Sequence, residues 1–151
     1  MRALPILFTL GFILSGCADL LGITSCPKSQ EGNARIYYVD LPKQVVANAP
    51  FSILIRFYQL GGQQTSRALP ETFKATVDQS LKTVTVTGRM VTSWDACGVQ
   101  VQGFWKNDES VMLDLTLAPG TYSVVIPSDY FDGSPRHNAP TASASRELAV
   151  I

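Results

Sequence analysis

The sequence has few of the residues that carry most enzyme chemistry. It has one histidine, His137, and three cysteines among 151 residues. It has no GxSxG-type nucleophile motif, no CxxC pair and no cysteine–histidine cluster with zinc-ligand spacing. His137 lies between two prolines in SPRHNAP, and we expect a solvent-exposed loop residue there. The sequence therefore predicts a protein with no catalytic residue, no metal site and no cofactor.

An excess of charge of either sign is also missing. Lys and Arg total 12, Asp and Glu total 12, and the formal net charge is zero. The charges are dispersed, so the sequence does not predict the basic surface that nucleic-acid-binding proteins use, and we expect no nucleic-acid partner. No motif brings two carboxylates together as in a glycosidase. The segment SDYFDGS contains Asp129 and Asp132 but lacks the later oxygen ligands of a calcium loop.

Only one long apolar run occurs, and it lies at the start of the sequence. Arg2 is followed by ALPILFTLGFIL over residues 3–14. This run is shorter than the roughly 20 apolar residues that a membrane-spanning helix needs. A positive charge followed by a short apolar run and small residues is typical of an export signal. The run ends in Leu14-Ser15-Gly16-Cys17.

This ending resembles the lipobox of bacterial lipoproteins, in which a leucine and two small residues precede a cysteine. All four positions match, and the resemblance covers residues 1–17. It implies that Cys17 receives a diacylglyceryl group, that residues 1–16 are removed as a signal peptide, and that the new amine is acylated, for instance with palmitate. Two or more acyl chains hold a protein stably on a membrane. Ala18 directly after the cysteine implies the outer membrane, with the body facing the periplasm or the cell surface. The alternative is an ordinary secretory signal in which Cys17 carries no lipid.

Two cysteines remain once Cys17 is assigned to lipid. Because an exported protein meets an oxidising compartment, Cys26 and Cys97 are predicted to form a disulfide. Closing a loop of about 70 residues would stabilise the fold by roughly 4 kcal/mol in the chain-entropy account. The alternative is two free thiols.

The rest of the chain has little helical periodicity and many short alternating segments. Residues 66–79 come closest to a helix, but Pro70 interrupts them. In residues 82–91, Val84, Val86 and Met90 alternate with polar side chains, which predicts a strand with one buried face. Similar patterns predict strands at 34–39, 50–58, 99–105, 110–117, 121–126 and 146–151, separated by breakers at 61–62, 107–109, 119–120 and 132–135.

About seven short strands favour an all-β fold, an antiparallel β-sandwich. We expect it to span residues 33–151, after a tether at residues 17–32. Within it, LTLAPGTYSVVI places Tyr122 just after a Pro-Gly pair. This pattern resembles the tyrosine corner of immunoglobulin-like sandwiches and is similar to one in prealbumin-like domains. The resemblance implies that the Tyr122 hydroxyl binds nearby backbone, whereas Val124 replaces the cysteine of antibody domains. The alternative is an ordinary strand aromatic.

Aromatic side chains supply the candidate binding residues. Tyr130 and Phe131 lie in the loop 127–144, and loops at the end of a sandwich often carry recognition. We expect Trp94 and Trp105 to pack in the core or beside the disulfide. The predicted function is a lipid-anchored, non-catalytic envelope domain that binds another envelope protein or a glycan, or helps an assembly. The alternatives are a ligand- or carbohydrate-binding module with an exposed tryptophan, and a hydrolase whose residues meet only in space.

Overall fold

Strands supply all the regular secondary structure of the described chain. The computed structural model describes residues 27–61, 64–95, 104–133 and 141–151. These ranges contain nine strands and no helix: β1 (Pro27–Asn33), β2 (Arg35–Asp40), β3 (Gln44–Val45), β4 (Pro50–Gly61), β5 (Thr65–Asp78), β6 (Thr83–Asp95), β7 (Phe104–Thr116), β8 (Gly120–Val125) and β9 (Ser145–Val150). The all-β prediction is confirmed, although the described ranges hold more strands than the predicted seven or so.

The strands form two sheets. The three-stranded sheet has the order β2-β4-β7, and both of its pairings are antiparallel. In the six-stranded sheet, β6 pairs with β5, with β1 and with β8, and β9 and β3 continue beyond β8. Its β6–β8 and β3–β9 pairings are parallel, so this sheet is mixed. The sequence prediction of purely antiparallel sheets is therefore wrong for this sheet.

The core lies between the two sheets, and sequence alternation decides which side chains enter it. Ile53, Ile55 and Phe57 of β4 are buried, and so are Val84 and Val86 of β6. Residues of both sheets belong to one apolar cluster. Burying each such side chain contributes about 1.5–3 kcal/mol. Two sheets around one shared core are consistent with a β-sandwich.

Strand β5 occupies the segment that the sequence pattern brings closest to a helix. Leu69 pairs with Arg89 and Lys74 with Thr87, so residues 70–73 form a bulge that contains Pro70. Proline lacks a backbone N–H, and a bulge is where a strand tolerates it. The Thr72 hydroxyl donates to the Leu69 carbonyl over 2.7 Å and accepts from the Arg89 N–H over 2.9 Å. One side chain thereby bonds to both strands where their ladder is interrupted.

Two further features differ from the sequence prediction. Strand β1 has the polar sequence PKSQEGN, and residues 27–32 of the expected tether lie in it. It pairs with the second half of β6, from Pro27 opposite Asp95 to Asn33 opposite Arg89. The break expected at residues 107–109 lies inside β7, where the ladder with β4 shifts register instead of ending. Residues 99–103 of the strand expected at 99–105 lie outside the described residues.

Candidate functional site

Several residues of the sequence prediction lie outside the described residues. They are Cys17, Cys26, Cys97 and His137. The lipid site, the disulfide and the loop position of the histidine therefore stay predictions.

The candidate binding residues Tyr130 and Phe131 lie on a strap, residues 127–133, that crosses the edge of β2. Their N–H groups both donate to the Pro127 carbonyl, over 2.9 and 3.0 Å, which bends the strap into a turn. The Ile36 N–H donates to the Tyr130 carbonyl over 2.8 Å, and the Ile36 carbonyl accepts from the backbone N–H of Asp132 over 2.9 Å. Both aromatic side chains are partly buried against the core. They cover β2, and a binding role for them stays a prediction.

Two arginines hold the chain against the outer side of β2. The Arg35 Nη1 atom lies 3.6 Å from Oδ2 of Asp132, whose side chain is buried. The Arg146 Nη1 atom donates to the Tyr38 hydroxyl over 2.6 Å and to the Val39 carbonyl over 3.0 Å. The Arg146 guanidinium also lies 4.8 Å from the Tyr38 ring centroid, a cation–π distance. Bonds from both strap and β9 therefore fasten this edge of the three-stranded sheet.

The Tyr122 hydroxyl is hydrogen-bonded, but its partners are side chains. Tyr122 is fully buried at the start of β8. Its hydroxyl donates to Oε1 of Gln79 and accepts from Nζ of Lys82 over 3.3 Å. Lys82 also donates to the Pro119 carbonyl over 3.1 Å. The bond to nearby backbone that the resemblance implies is therefore replaced by a link between β8 and the turn that joins β5 to β6.

Trp94 and Trp105 lie on different strands. Trp94 in β6 is opposite Lys28 of β1, is partly buried, and lies an even number of residues from the buried Met90. Side chains at even spacing share a face of a strand, so Trp94 is on the core-facing side of the sheet. Trp105 pairs with Leu60 in the β4–β7 ladder.

On the outer face of the three-stranded sheet, a pair of apolar residues lies between two hydrogen-bonded polar pairs. Leu54 of β4 pairs with Met112 of β7, whose side chain is 66% exposed. On one side of this pair, Arg56 donates to Asp40 over 2.8 Å. On the other side, the Ser52 hydroxyl donates to Asp114 over 2.6 Å. A single exposed apolar side chain is common on protein surfaces and is not by itself evidence of a binding site. Met112 is of interest because it lies on an edge strand.

The sheet edges differ in how well they are protected. A long unprotected edge strand is a template for pairing with another chain, and proteins blunt such edges with bulges, charges or covering segments. The strap covers β2, and the Pro70 bulge interrupts β5. Residues 109–116 of β7 keep an uninterrupted register with β4, and no other described strand pairs with them. We call these residues the β7 edge.

Among the described residues, no group of three or more His, Cys, Asp and Glu residues could hold a metal ion. No helix in that part of the chain is long and apolar enough to cross a membrane. Comparison of the whole chain with protein-family models, with curated proteins and with solved structures finds no match.

Proposed function

We propose that this protein is a bacterial envelope lipoprotein whose all-β body works by binding, with no catalytic site of its own. The observation that carries the proposal is Leu14-Ser15-Gly16-Cys17 at the end of the apolar run 3–14. Acyl chains on Cys17 would hold the body at a membrane surface. Ala18 favours the outer membrane, with the body facing the periplasm or the cell surface.

Surfaces of the body support a binding role. Along residues 109–116, the β7 edge offers backbone groups that no other described strand pairs with, and Leu54 and Met112 supply apolar area beside it. Extended partners add to exposed sheet edges by main-chain hydrogen bonds, and neighbouring side chains supply specificity. The strap with Tyr130 and Phe131 is a second candidate surface, for another envelope protein or a glycan.

Metabolic labelling tests the lipid anchor. Cells that express the full chain are grown with labelled palmitate and then fractionated. We expect label on the unmodified chain and on a Cys26→Ala control, and no label on Cys17→Ala, because the thioether-linked lipid needs the Cys17 sulfur. The Cys17→Ala chain should also keep its signal segment. Continued palmitate labelling of Cys17→Ala would refute the anchor.

We also propose the Cys26–Cys97 disulfide, and the β1–β6 ladder supports it. Pro27 and Asp95 lie directly opposite each other in this ladder. Cys26 immediately precedes Pro27 in the sequence, and Cys97 follows Asp95 after a single intervening residue. Since adjacent Cα atoms are about 3.8 Å apart, the ladder brings the neighbours of both cysteines within reach of each other.

For the finer fold class we propose an immunoglobulin-like sandwich, with a prealbumin-like topology as the alternative. Tyr122, buried at the start of β8 just after Pro119 and Gly120, supports this class. Its bonding to Gln79 is a departure from the tyrosine-corner pattern. An experimental structure with a strand order of neither class would contradict the assignment.

A further inference from the structure

We infer that one end of the body rests on the lipid headgroup layer of the membrane and that the opposite end faces away from it. This orientation depends on the lipid anchor proposed above and deepens that proposal, because it names the surface that meets the bilayer.

Five strand ends lie together at one end of the two sheets. In one sheet, the first residue of β1 is opposite the last residue of β6, and β5 begins beside the same stretch of β6. In the other sheet, the last residue of β4 pairs with the first residue of β7. Only three residues separate β4 from β5, so the two sheets share this end. We call it the tether end, and its strand ends are Pro27, Gly61, Thr65, Asp95 and Phe104.

The opposite end of the body lies a full strand length away. The turn at residues 79–82 joins β5 to β6 there. Lys82 donates to the Pro119 carbonyl over 3.1 Å, so the turn between β7 and β8 lies at the same end. Strand β6 has 13 residues, and at about 3.3 Å per residue it separates this turn from Asp95 by about 40 Å. We call this the far end.

Strand β1 shortens the tether and fixes where it enters the body. The sequence prediction extends the tether to residue 32, but every residue of β1 pairs with β6 from Pro27 onward. An ion pair between Glu31 and Arg89, 3.0 Å apart, adds a side-chain contact between these strands. Pro27 follows Cys17 by ten residues, and ten residues span at most about 36 Å. A lipid on Cys17 therefore keeps the tether end near the membrane, whereas the far end can extend away from it.

The exposed side chains near the tether end suit a hydrated headgroup layer. Lys28, Thr65 and Arg67 are exposed there. Lysine and arginine close to a membrane surface are attracted to anionic lipids. Among the described residues, the strongly exposed large hydrophobic side chains lie elsewhere: Val46, Leu81, Met112 and Ile151. We therefore expect the tether end to rest on the headgroups without entering the hydrocarbon layer.

Energy transfer from tryptophan to a lipid-borne acceptor tests the orientation, because both tryptophans of the chain lie near the tether end. Trp94 is the residue before the last of β6, and Trp105 is the second residue of β7. The lipidated full chain is purified from cells and reconstituted into vesicles of phosphatidylethanolamine and phosphatidylglycerol that contain a dansyl-labelled lipid. We expect strong quenching of the tryptophan emission and matching dansyl emission.

The matched chain carries Trp94→Phe, Trp105→Phe and Leu81→Trp, which moves the donor to an exposed position at the far end. We expect its transfer efficiency to be several-fold lower, because energy transfer falls steeply with distance. Circular dichroism checks that this chain keeps its strands. The single variant Leu81→Trp keeps both native tryptophans and adds a distant donor, so its mean efficiency should be lower than that of the unmodified chain.

A longer tether tests why the tether end stays close. About twenty Gly and Ser residues inserted after Gly22 form a flexible linker, which lets the body move farther from the bilayer and turn freely. We expect the transfer efficiency of the native tryptophans to fall toward the value of the far-end donor. An unchanged efficiency would contradict the role of the short tether.

Equal transfer from the native and the moved tryptophans, or higher transfer from the far end, would overturn the orientation. Flotation of the vesicles on a density gradient separates this failure from failure of the anchor. A chain that floats with the vesicles and shows equal transfer is anchored but lacks the inferred orientation. A chain that does not float refutes the lipid anchor, and the orientation is then refuted with it.

Discussion

Gly88 in β6 leaves no room for a side chain. A Cβ atom at this position would lie 2.5 Å from the Phe73 ring, well inside van der Waals contact. Phe73 in turn packs on Phe57 of the facing sheet, with ring centroids 4.9 Å apart. Gly88 thereby admits the aromatic contact that joins the bulged part of β5 to the other sheet.

We expect Gly88→Ala to lower the free energy of unfolding by about 1–3 kcal/mol, the usual range for an overpacked core. The Phe73 ring must leave its contact with Phe57 to make room. Gly32→Ala is the matched control, because no atom beyond its two chain neighbours lies within 4 Å of its added Cβ. Urea denaturation of both variants measures the difference, and equal midpoints would contradict this account.

Tyr122→Phe tests the bonded hydroxyl. We expect a loss of about 1 kcal/mol, the usual net value of a buried hydrogen bond. Gln79→Leu should cost a similar amount, since it removes the acceptor of the same bond. If the two residues act on each other, the double variant loses less than the sum of the single variants. Additive losses in denaturant titrations would instead indicate independent roles.

At the scale of single residues, the sequence predicts burial better than partners. Val84, Val86 and Met90 are expected on the buried face of a strand and are buried, and Tyr122 is expected in a strand and lies in β8. Its partner Gln79 is not predictable, because the contact depends on where β5 ends and how the following turn is built. The same limit applies to Tyr130, whose loop position is evident from sequence but whose bond to Ile36 is a tertiary contact.

Among the elements, β5 shows how a strand can tolerate a proline in its interior. The Thr72 hydroxyl serves as acceptor for Arg89 and as donor to Leu69 at the bulge. We expect Thr72→Val, which keeps the shape and removes both bonds, to destabilise by about 1–3 kcal/mol. Thr76→Val on the same strand is the control, since that side chain is exposed, and it should be nearly neutral. Thermal or urea unfolding distinguishes the two, and a neutral Thr72→Val would refute the bridging role.

The turn between β5 and β6 gives a pH-dependent prediction. Hydrogen bonds from the Ser80 hydroxyl and from the backbone of Leu81 lower the pKa of Asp78. A carboxyl whose folded pKa is depressed stabilises the fold above its unfolded pKa, about 3.9 for Asp, and this contribution fades as pH falls through the folded value. We expect Asp78→Asn to be less stable than the unmodified chain near pH 7, with the gap narrowing below pH 4. Urea midpoints measured across this range would contradict the idea if the gap stayed constant.

Strand prediction succeeds where a strand's own alternation carries the signal. The segments expected at 34–39, 50–58, 82–91, 110–117, 121–126 and 146–151 correspond to β2, β4, β6, β7, β8 and β9. The sequence pattern does not predict β1, because its residues are polar and show no apolar alternation. This segment is a strand because it pairs with β6. The NDE sequence at 107–109 mimics a turn, but pairing with β4 carries the strand through it.

For the whole molecule, the disulfide is the most consequential prediction. If Cys26 and Cys97 are bonded, mass mapping without reductant should find their peptides linked. Reduction should then lower the free energy of unfolding by roughly 4 kcal/mol, because the unfolded chain regains the freedom of a loop of about 70 residues. A Cys26→Ala/Cys97→Ala variant should match the reduced protein. Two alkylated free thiols in the native protein would end this prediction.

The candidate surfaces illustrate what sequence can say about the molecule as a whole. The lipobox is a local signal and can be recognised without a fold. The β7 edge cannot, because SVMLDLT has the alternation of an ordinary half-buried strand. Its exposure follows from the sheet order, which depends on pairings between distant segments.

The pairing of β3 with β9 ties Val45 to Val150, which lies 105 residues further along the chain. Such long-range ladders close late, and all-β bodies of this kind fold in milliseconds to seconds. The core cannot be completed until β9 has left the ribosome, since Leu148 and Val150 belong to it. Until then the body lacks part of its core, and export through a narrow channel, which the proposed lipoprotein signal implies, needs a chain that has not yet folded.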